Sequence, residues 1–390
     1  MLLHRGVVRL AAIVYFVQGS LGIASISFPL YLRAQGFSIP KIAFVTSISA
    51  VPWFLKIVYG AISDAIPLWG SRRRSYLMIY VFFSCLGWFL LGLLPPKEKW
   101  IILSMTVANI GFAATDVITD GLVVEYSRSG SAQTYQSIAW GARSAGSILS
   151  GFTGGVLAAR LDAQIVFLIT GILPLISLVA VLSLKEKAQK QRIRPKSILE
   201  PVVESVRLIV QAKLKWFLLL LFILSSSVAI GTPLFFYMRE TLHFEEVPLG
   251  LLNSMTWFGA IIGCFIFIKF FQKVPLRIAL YWAIGVGFFD ILLTLAIRNY
   301  LTAFVISFFL GVLGYVVLLP LFSSAARLVH GTKVEASLYA ILMSLFNVGQ
   351  AVSSILGGIL YEWIGLNWLI VLTAAIGLSA FLVVPRLKLL

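Results

Sequence analysis

Charge is what this chain of 390 residues has least of: 12% of its residues are Asp, Glu, Lys or Arg, about half of what a soluble domain carries. Acidic residues are the scarcest, 15 against 31 basic ones. There are two cysteines, Cys85 and Cys264, both inside apolar runs and without a CxxC pair or a histidine at ligand spacing. That removes a disulfide framework and a thiolate metal centre. The three histidines, His4, His243 and His330, stand at the ends of apolar runs or in loops, and no HExxH, GxSxG or P-loop occurs. The usual hydrolytic and nucleotide-binding constellations are therefore missing. No enzyme, cofactor or metal is expected.

Apolar residues fill the space, at 60% of the chain. They form twelve runs, at 8–33, 40–66, 74–94, 100–126, 132–159, 164–185, 214–240, 247–271, 276–297, 301–329, 334–361 and 366–386. A helix needs about 20 apolar residues to cross a bilayer, and barrel strands are half that length, so the runs read as helices. Twelve of them leave short loops and no room for a separate catalytic domain. The N-terminal MLLHRGVVRLAAIVYF carries basic residues before its apolar stretch and no small-residue cleavage site, which predicts a retained first helix.

The net charge of +16 suits a nucleic-acid partner at first sight, but its distribution does not. Lys and Arg gather in the loops on one side, 22 against 7, with Lys56 and Arg143 left inside spans. This asymmetry predicts a multi-pass protein of a cell's inner, plasma membrane with both termini in the cytoplasm. No nucleic acid is expected as a partner; the lipid bilayer is.

The longest polar stretch, 186–213, divides an N-terminal bundle, 1–185, from a C-terminal bundle, 214–390. Its second part spaces Ile198, Leu199, Val202, Val203, Val206 and Ile209 as an amphipathic surface helix would, or it is a solvated tether. The two parts share short matches. PLYLRAQGF (29–37) pairs with FFYMRETLHF (235–244), and SILSGFTGGVL (147–157) with AVSSILGGIL (351–360), aligning Gly154 and Gly155 with Gly357 and Gly358. The predicted fold is an all-α membrane protein of twelve transmembrane helices in two pseudo-symmetric six-helix bundles, the major facilitator fold, with its site between the repeats at mid-membrane.

Charge inside hydrocarbon is costly and marks function. Lys56, Asp116, Asp120, Arg143 and Asp290 lie within spans. At 1.5 Å per residue, Lys56, Asp116 and Arg143 all fall about 15–16 Å from the cytoplasmic ends of their spans. Each lies on a stripe of small or polar residues: Lys56 with Ser49, Pro52, Gly60 and Ser63; Asp116 with Asn109, Ala113 and Asp120; Arg143 with Ser147, Gly151 and Gly155. Trp53 and Trp140 each precede a cation by three residues and so share its face. The group reads as a binding site for a flat anionic ligand, formed by Lys56, Arg143, Trp53, Trp140 and Asp116, with a structural ion-pair network as the alternative. Asp116 or Asp120 is the candidate proton carrier. Asp290 shares its face with Arg298, and either a local arrangement with Arg298 near the outer end or a functional role is open to it. After the second span, GAISDAIPLWGSRRRSY (60–76) places Gly60, Asp64, Arg72, Arg73 and Arg74 at the membrane edge as a candidate cytoplasmic gate latch.

The long form of that loop, SDAIPLWGSRRRSY, resembles the folate–biopterin transporter family of the major facilitator superfamily. So do FVQGSLGIAS (16–25), VPWFLKIVYG (51–60), TDVITDGLVVE (115–125) and IAWGARSAGSILS (138–150). Ser75 departs from the Pro that many members have there. The resemblance implies a secondary transporter of folate, a pterin or a related organic anion, coupled to protons or working by exchange; a monomer is expected. It puts Lys56, Asp116, Asp120 and Arg143 on family positions. Two other readings stand beside it: a muropeptide or other metabolite permease of the same superfamily, and a non-transporting scaffold or receptor.

Overall fold

The computed structural model describes residues 5–126, 132–184, 203–205, 207–208, 212–271, 274–330 and 335–387. Among them there is no strand, only an isolated bridge between Leu68 and Ser71. Helices are what this hydropathy dictates, because a backbone in hydrocarbon must satisfy its own N–H and C=O groups. Most of the proposed linker 186–213 lies outside the described residues.

The chain divides into two compact units, Met1–Gln35 with Ile48–Ile198, and Gly36–Ser47 with Leu199–Leu390. In the first unit, α1 (Arg5–Ser20) and α2 (Ala24–Ala34) are joined by a 3-10 turn at Leu21–Ile23. Next come the 3-10 turn Val51–Leu55 and α4 (Lys56–Ala65), which continue α3 (Ile39–Ser49). Pro52 opens that turn, and its ring forbids the hydrogen bond that would carry α3 on unbroken. Read from hydropathy alone, both spans are continuous helices; the structure breaks each of them near its middle. Then follow α5 (Arg74–Leu93), α6 (Glu98–Tyr126), α7 (Ala132–Arg160), α8 (Ala163–Ile172) and α9 (Pro174–Leu182).

Small residues draw α1 and α7 together. A Cβ on Gly19 would collide with the Arg143 carbonyl oxygen, and one on Gly146 with that of Phe16. The Ser150 hydroxyl donates to the Gly19 carbonyl at 2.9 Å. Such contact through Gly and Ser is how helices associate where no hydrophobic effect drives them. Val7, Leu10, Val14, Leu77, Ile118, Leu122 and Tyr135 form the apolar core beneath.

The second unit holds α10 (Ala212–Leu224), a 3-10 turn at Ser225–Ile230, α11 (Gly231–Phe236), α12 (Glu246–Ile266), α13 (Leu276–Leu293), α14 (Tyr300–Val329) and α15 (Glu335–Ser379). Asn299 and Thr302 cap α14 reciprocally. Phe217, Leu220, Leu221, Leu280, Ile284, Leu321 and Leu342 are its core. Within this unit α3 runs against α15, where a Cβ on Gly358 would lie 2.9 Å from the Pro40 Cα.

Each unit carries the same device. A Cβ on Gly154 would collide with the Ile23 carbonyl in the 3-10 turn after α1, and one on Gly357 with the Ala229 carbonyl in the 3-10 turn after α10. The two glycines are those aligned by the sequence match of 147–157 with 351–360.

Ten helical stretches among the described residues are long and apolar enough to cross a membrane. The Gly-, Ala- and Ser-rich α7 is not one of them, and α15 from Leu338 onward belongs to a single stretch, Leu338–Arg386, despite a non-helical Gly365 at φ 71°.

Candidate functional site

Lys56 is the first residue of α4, at the seam made by the 3-10 turn. Its Nζ lies 2.7 Å from Asp116 Oδ2 on α6 and 4.7 Å from the centre of the Trp53 ring. Trp53 is itself fixed in place, since its Nε1 donates to Asn109 Oδ1 at 2.8 Å. Asn109 in turn donates to the carbonyls of Ser49 and Met105, both at 2.9 Å. Asp116 is 4% exposed; its other oxygen, Oδ1, accepts from Gln18 Nε2 at 3.1 Å. Both oxygens of this buried carboxylate are thus met, as burial of a charge requires.

Asp120, one turn further along α6, accepts from the Tyr15 hydroxyl at 2.6 Å. Among the described residues no cation lies within 4.0 Å of it. Arg143 has no ion pair among the described residues either; its Cζ lies 5.1 Å from the centre of the Trp140 ring. Trp140 is exposed, and Tyr15 packs beside it with ring centres 6.2 Å apart. The structure therefore brings together Lys56, Trp53 and Asp116, and, through Tyr15, Asp120 and Trp140. It separates the two cations by role: Lys56 is engaged by a carboxylate and Arg143, among the described residues, is not.

Beside this group is a cavity of about 160 Å³ within the first unit. Arg143, Gln18, Asn109 and Trp53 wall it on the polar side; Trp88, Phe112, Leu21, Met105 and Ala108 complete it. Gln18, Tyr15 and Trp88 are missing from a site read from buried charge, because none of them is charged. The signal for Gln18 is its amide within an otherwise apolar span, in the segment FVQGSLGIAS.

In the candidate gate, a Cβ on Gly60 would lie 3.1 Å from Val117 Cγ1, so α4 runs close to α6 there. Arg73 Nη1 donates to Ser63 Oγ at 2.9 Å, and Arg73 Nε lies 4.0 Å from Glu125 Oε2. Arg72 precedes Arg73 in the loop, and Arg74 is the first residue of α5. The side chain of Asp64 lies outside the described residues. The loop itself closes on a tight turn. Leu68 and Ser71 exchange 2.9 Å backbone bonds across Trp69 and Gly70, both at positive φ, the pattern of a type I′ turn. Ser75 Oγ donates to the Leu68 carbonyl at 2.7 Å, so the departure at this position ties the loop down.

Asp290 does not pair with Arg298. Its Oδ1 is buried with no hydrogen-bond partner among the described residues, and Arg298 is exposed. The α13–α14 boundary explains this: a 3-10 turn at Thr294–Ala296 takes Arg298 off the face that Asp290 shares.

Solved structures place the architecture. The chain matches a point mutant of the nucleoside transporter NupG with a TM-score of 0.78 at 13% identity, over 98% of this chain and 100% of that one. It matches a POT family transporter in complex with 5-aminolevulinic acid with a TM-score of 0.75 at 16% identity, over 99% and 97%. These likenesses show the fold alone, an all-helical one shared with these two transporters. In sequence, the chain is 30% identical to the folate-biopterin transporter of Synechocystis sp. over 97% of its own length and 80% of that protein. It is 25% identical to the probable folate-biopterin transporter 4 of Arabidopsis thaliana, over 92% and 89%. It is also 25% identical to folate transporter 1 of Plasmodium falciparum, over 85% and 68%. The BT1 family profile covers residues 18–381, a range that contains the Lys56–Asp116–Gln18 group, Asp120 and Arg143, and the chain belongs to that family of multi-pass membrane transporters.

Proposed function

We propose that this protein is a secondary active transporter that carries a folate- or pterin-like organic anion by alternating access, coupled to protons. The observation that carries the reading is the division of labour between the cations. Asp116 neutralises Lys56, whereas Arg143 stands at a cavity wall with no carboxylate of its own among the described residues. A guanidinium left in a low-dielectric site is matched by an incoming anion. Trp140 and Trp53 hold the two cations in place by cation–π contact. The names of the relatives supply the substrate class.

Asp120 is the proton carrier in this scheme. An ionised carboxylate without a cation at mid-membrane is costly, and Tyr15 keeps a hydrogen bond to it in either protonation state. Asp116, held by Lys56 and Gln18, stays ionised and serves the binding site. Gly60, Asp64, Arg72, Arg73 and Arg74 form the cytoplasmic latch, a role supported by the reach of Arg73 to Ser63 and toward Glu125.

The scheme comprises twelve spans in two six-span repeats, 1–185 and 214–390, joined by 186–213. Here α7 is the fifth span, and α15 divides at Gly365 into the eleventh and twelfth. The protein acts as a monomer in the inner membrane with both termini cytoplasmic. The test is uptake of radiolabelled folate and of biopterin into proteoliposomes, with and without an imposed proton gradient. Accumulation above equilibrium only with the gradient supports the scheme. Equilibration alone removes the coupling, and no uptake of either compound removes the substrate class.

A further inference from the structure

In the second unit, where α10 begins, two cations meet on one aromatic ring. Lys215 Nζ lies 5.5 Å from the centre of the Trp216 ring, and Arg386 Cζ lies 4.8 Å from it. Lys215 is the second residue of the apolar stretch Leu214–Thr241, and Arg386 is the last residue of the stretch Leu338–Arg386. The three side chains therefore stand at one edge of the hydrocarbon layer, where indole rings and the heads of long cations settle.

Packing fixes the ring in this place. Leu214 and Phe217, close to it in sequence, are buried in one core with Val383, Val384 and Leu387, and Trp216 packs against that core. The 3-10 turn Val384–Arg386 lies against α10 and α13. Tyr281 of α13 stacks on Phe381 with ring centres 5.6 Å apart, which fastens the last span beside α13. Arg386 Nη1 donates to the Leu382 carbonyl at 3.1 Å; its other N–H groups remain for a further acceptor.

The charge here is uncompensated. Lys215 and Arg386 are both exposed, and neither forms an ion pair among the described residues. Arg277, exposed on the first turn of α13, is a third cation at this end of the unit. Like charges drawn to one ring repel each other, and topology alone would be served by cations spread along the loops. Lys269 shows that simpler arrangement: it lies 5.2 Å from the ring of its own neighbour Phe270, at the end of the stretch Glu246–Phe270.

We infer that Lys215, Arg386 and Trp216 form a site for the headgroup of an anionic phospholipid. A phosphodiester offers one negative charge and several acceptor oxygens, which suit an ammonium beside a guanidinium fork. Its acyl chains continue along the apolar stretches that start at this edge. Basic clusters at span ends attract anionic lipid in this way. A choline lipid carries the same phosphate with a cation attached, and the two basic residues oppose that cation. The leaflet is the one on the side of the 186–213 stretch, the cytoplasmic one under the topology proposed above. Free phosphate shares the headgroup's chemistry and lacks the chains.

The experiment is thermal unfolding of the delipidated full-length protein in dodecylmaltoside micelles. It is titrated with dioleoyl phosphatidylglycerol, with dioleoyl phosphatidylcholine and with inorganic phosphate. Phosphatidylglycerol should raise the midpoint saturably, and phosphatidylcholine should need about tenfold more or greater. Lys215→Gln and Arg386→Gln should each raise the half-saturating phosphatidylglycerol about fivefold, and together about thirtyfold, the loss expected for one and for two basic residues at an anionic lipid surface. Lys269→Gln, on the same side of the same unit, should leave it within twofold. An equal shift from Lys269→Gln and Lys215→Gln overturns the site in favour of diffuse surface attraction. A double variant within twofold of the parent overturns it as well. Should the variants fail to fold, the parent decides: equal half-saturation by the two lipids overturns the headgroup assignment. Inorganic phosphate that raises the midpoint to the same extent and abolishes the response to phosphatidylglycerol shows a site for the free anion and overturns the lipid.

Discussion

Asp116 gives one oxygen to Lys56 and the other to Gln18, so its removal strands a cation rather than merely deleting a bond. Asp116→Asn should therefore lower the thermal midpoint of the detergent-purified protein, with a cost of about 3 kcal/mol. Lys56→Met combined with Asp116→Asn should recover most of it, because the pair then leaves together. A double variant no more stable than the single one would show that the pair is not the source of the loss. Arg143 behaves differently, since no carboxylate among the described residues lies within 4.0 Å of it. Arg143→Lys keeps the charge but loses the planar fork and its stacking on Trp140. Folate affinity should fall about tenfold or more, and equal affinity in a binding titration would show that only the charge matters.

At the scale of the element, the site depends on how near α1 comes to α7. Arg143 is on α7 and Gln18 on α1, and the two helices meet carbonyl against glycine at Gly19 and Gly146. Gly19→Ala or Gly146→Ala adds a methyl where a backbone atom already stands and cannot yield. Each should cost about 1–3 kcal/mol and abolish binding without touching a polar group. Gly141, on the same helix with nothing within 4 Å of where its Cβ would be, is the control. Gly141→Ala should stabilise by up to about 1 kcal/mol through helix propensity. Thermal unfolding of the three variants side by side checks this, and equal effects at all three positions would count against the packing account. The 3-10 turn before Lys56 is a second element-level feature. It ends one helix and begins another beside Asp116, which is how an irregular backbone comes to line a transporter's site.

For the whole molecule, the proposed coupling to protons rests on Asp120. Asp120 has a tyrosine partner and, among the described residues, no cation within 4.0 Å. Asp120→Asn keeps the hydrogen bond to Tyr15 and removes the titrating group. It should bind folate with near-parental affinity and exchange external for internal folate across the liposome wall. It should no longer accumulate folate when a pH gradient is imposed. Undiminished gradient-driven accumulation would rule out Asp120 as the carrier, and the same assay on Asp116→Asn then shows whether that carboxylate takes its place.

Sequence alone determined the solvent, the helical class and which charged residues lie inside the spans. The reason is that hydrocarbon penalises charge and open backbone so strongly that every exception to apolarity is visible in the composition. The cation–π partners Trp53 and Trp140 were legible too, because a spacing of three residues on a helix is local geometry. Tertiary structure decided the rest. Which cation Asp116 neutralises depends on where α4 and α6 meet, and hydropathy gives no such register. The breaks in the first two spans arise from competition between local backbone preference and packing, so a run of apolar residues does not announce them. Gln18, Tyr15 and Trp88 carry no charge; they become part of a site only when folding buries a polar atom beside a carboxylate or against a cavity. Asp290 and Arg298 share a helical face on paper, yet a 3-10 turn between them rotates that face away.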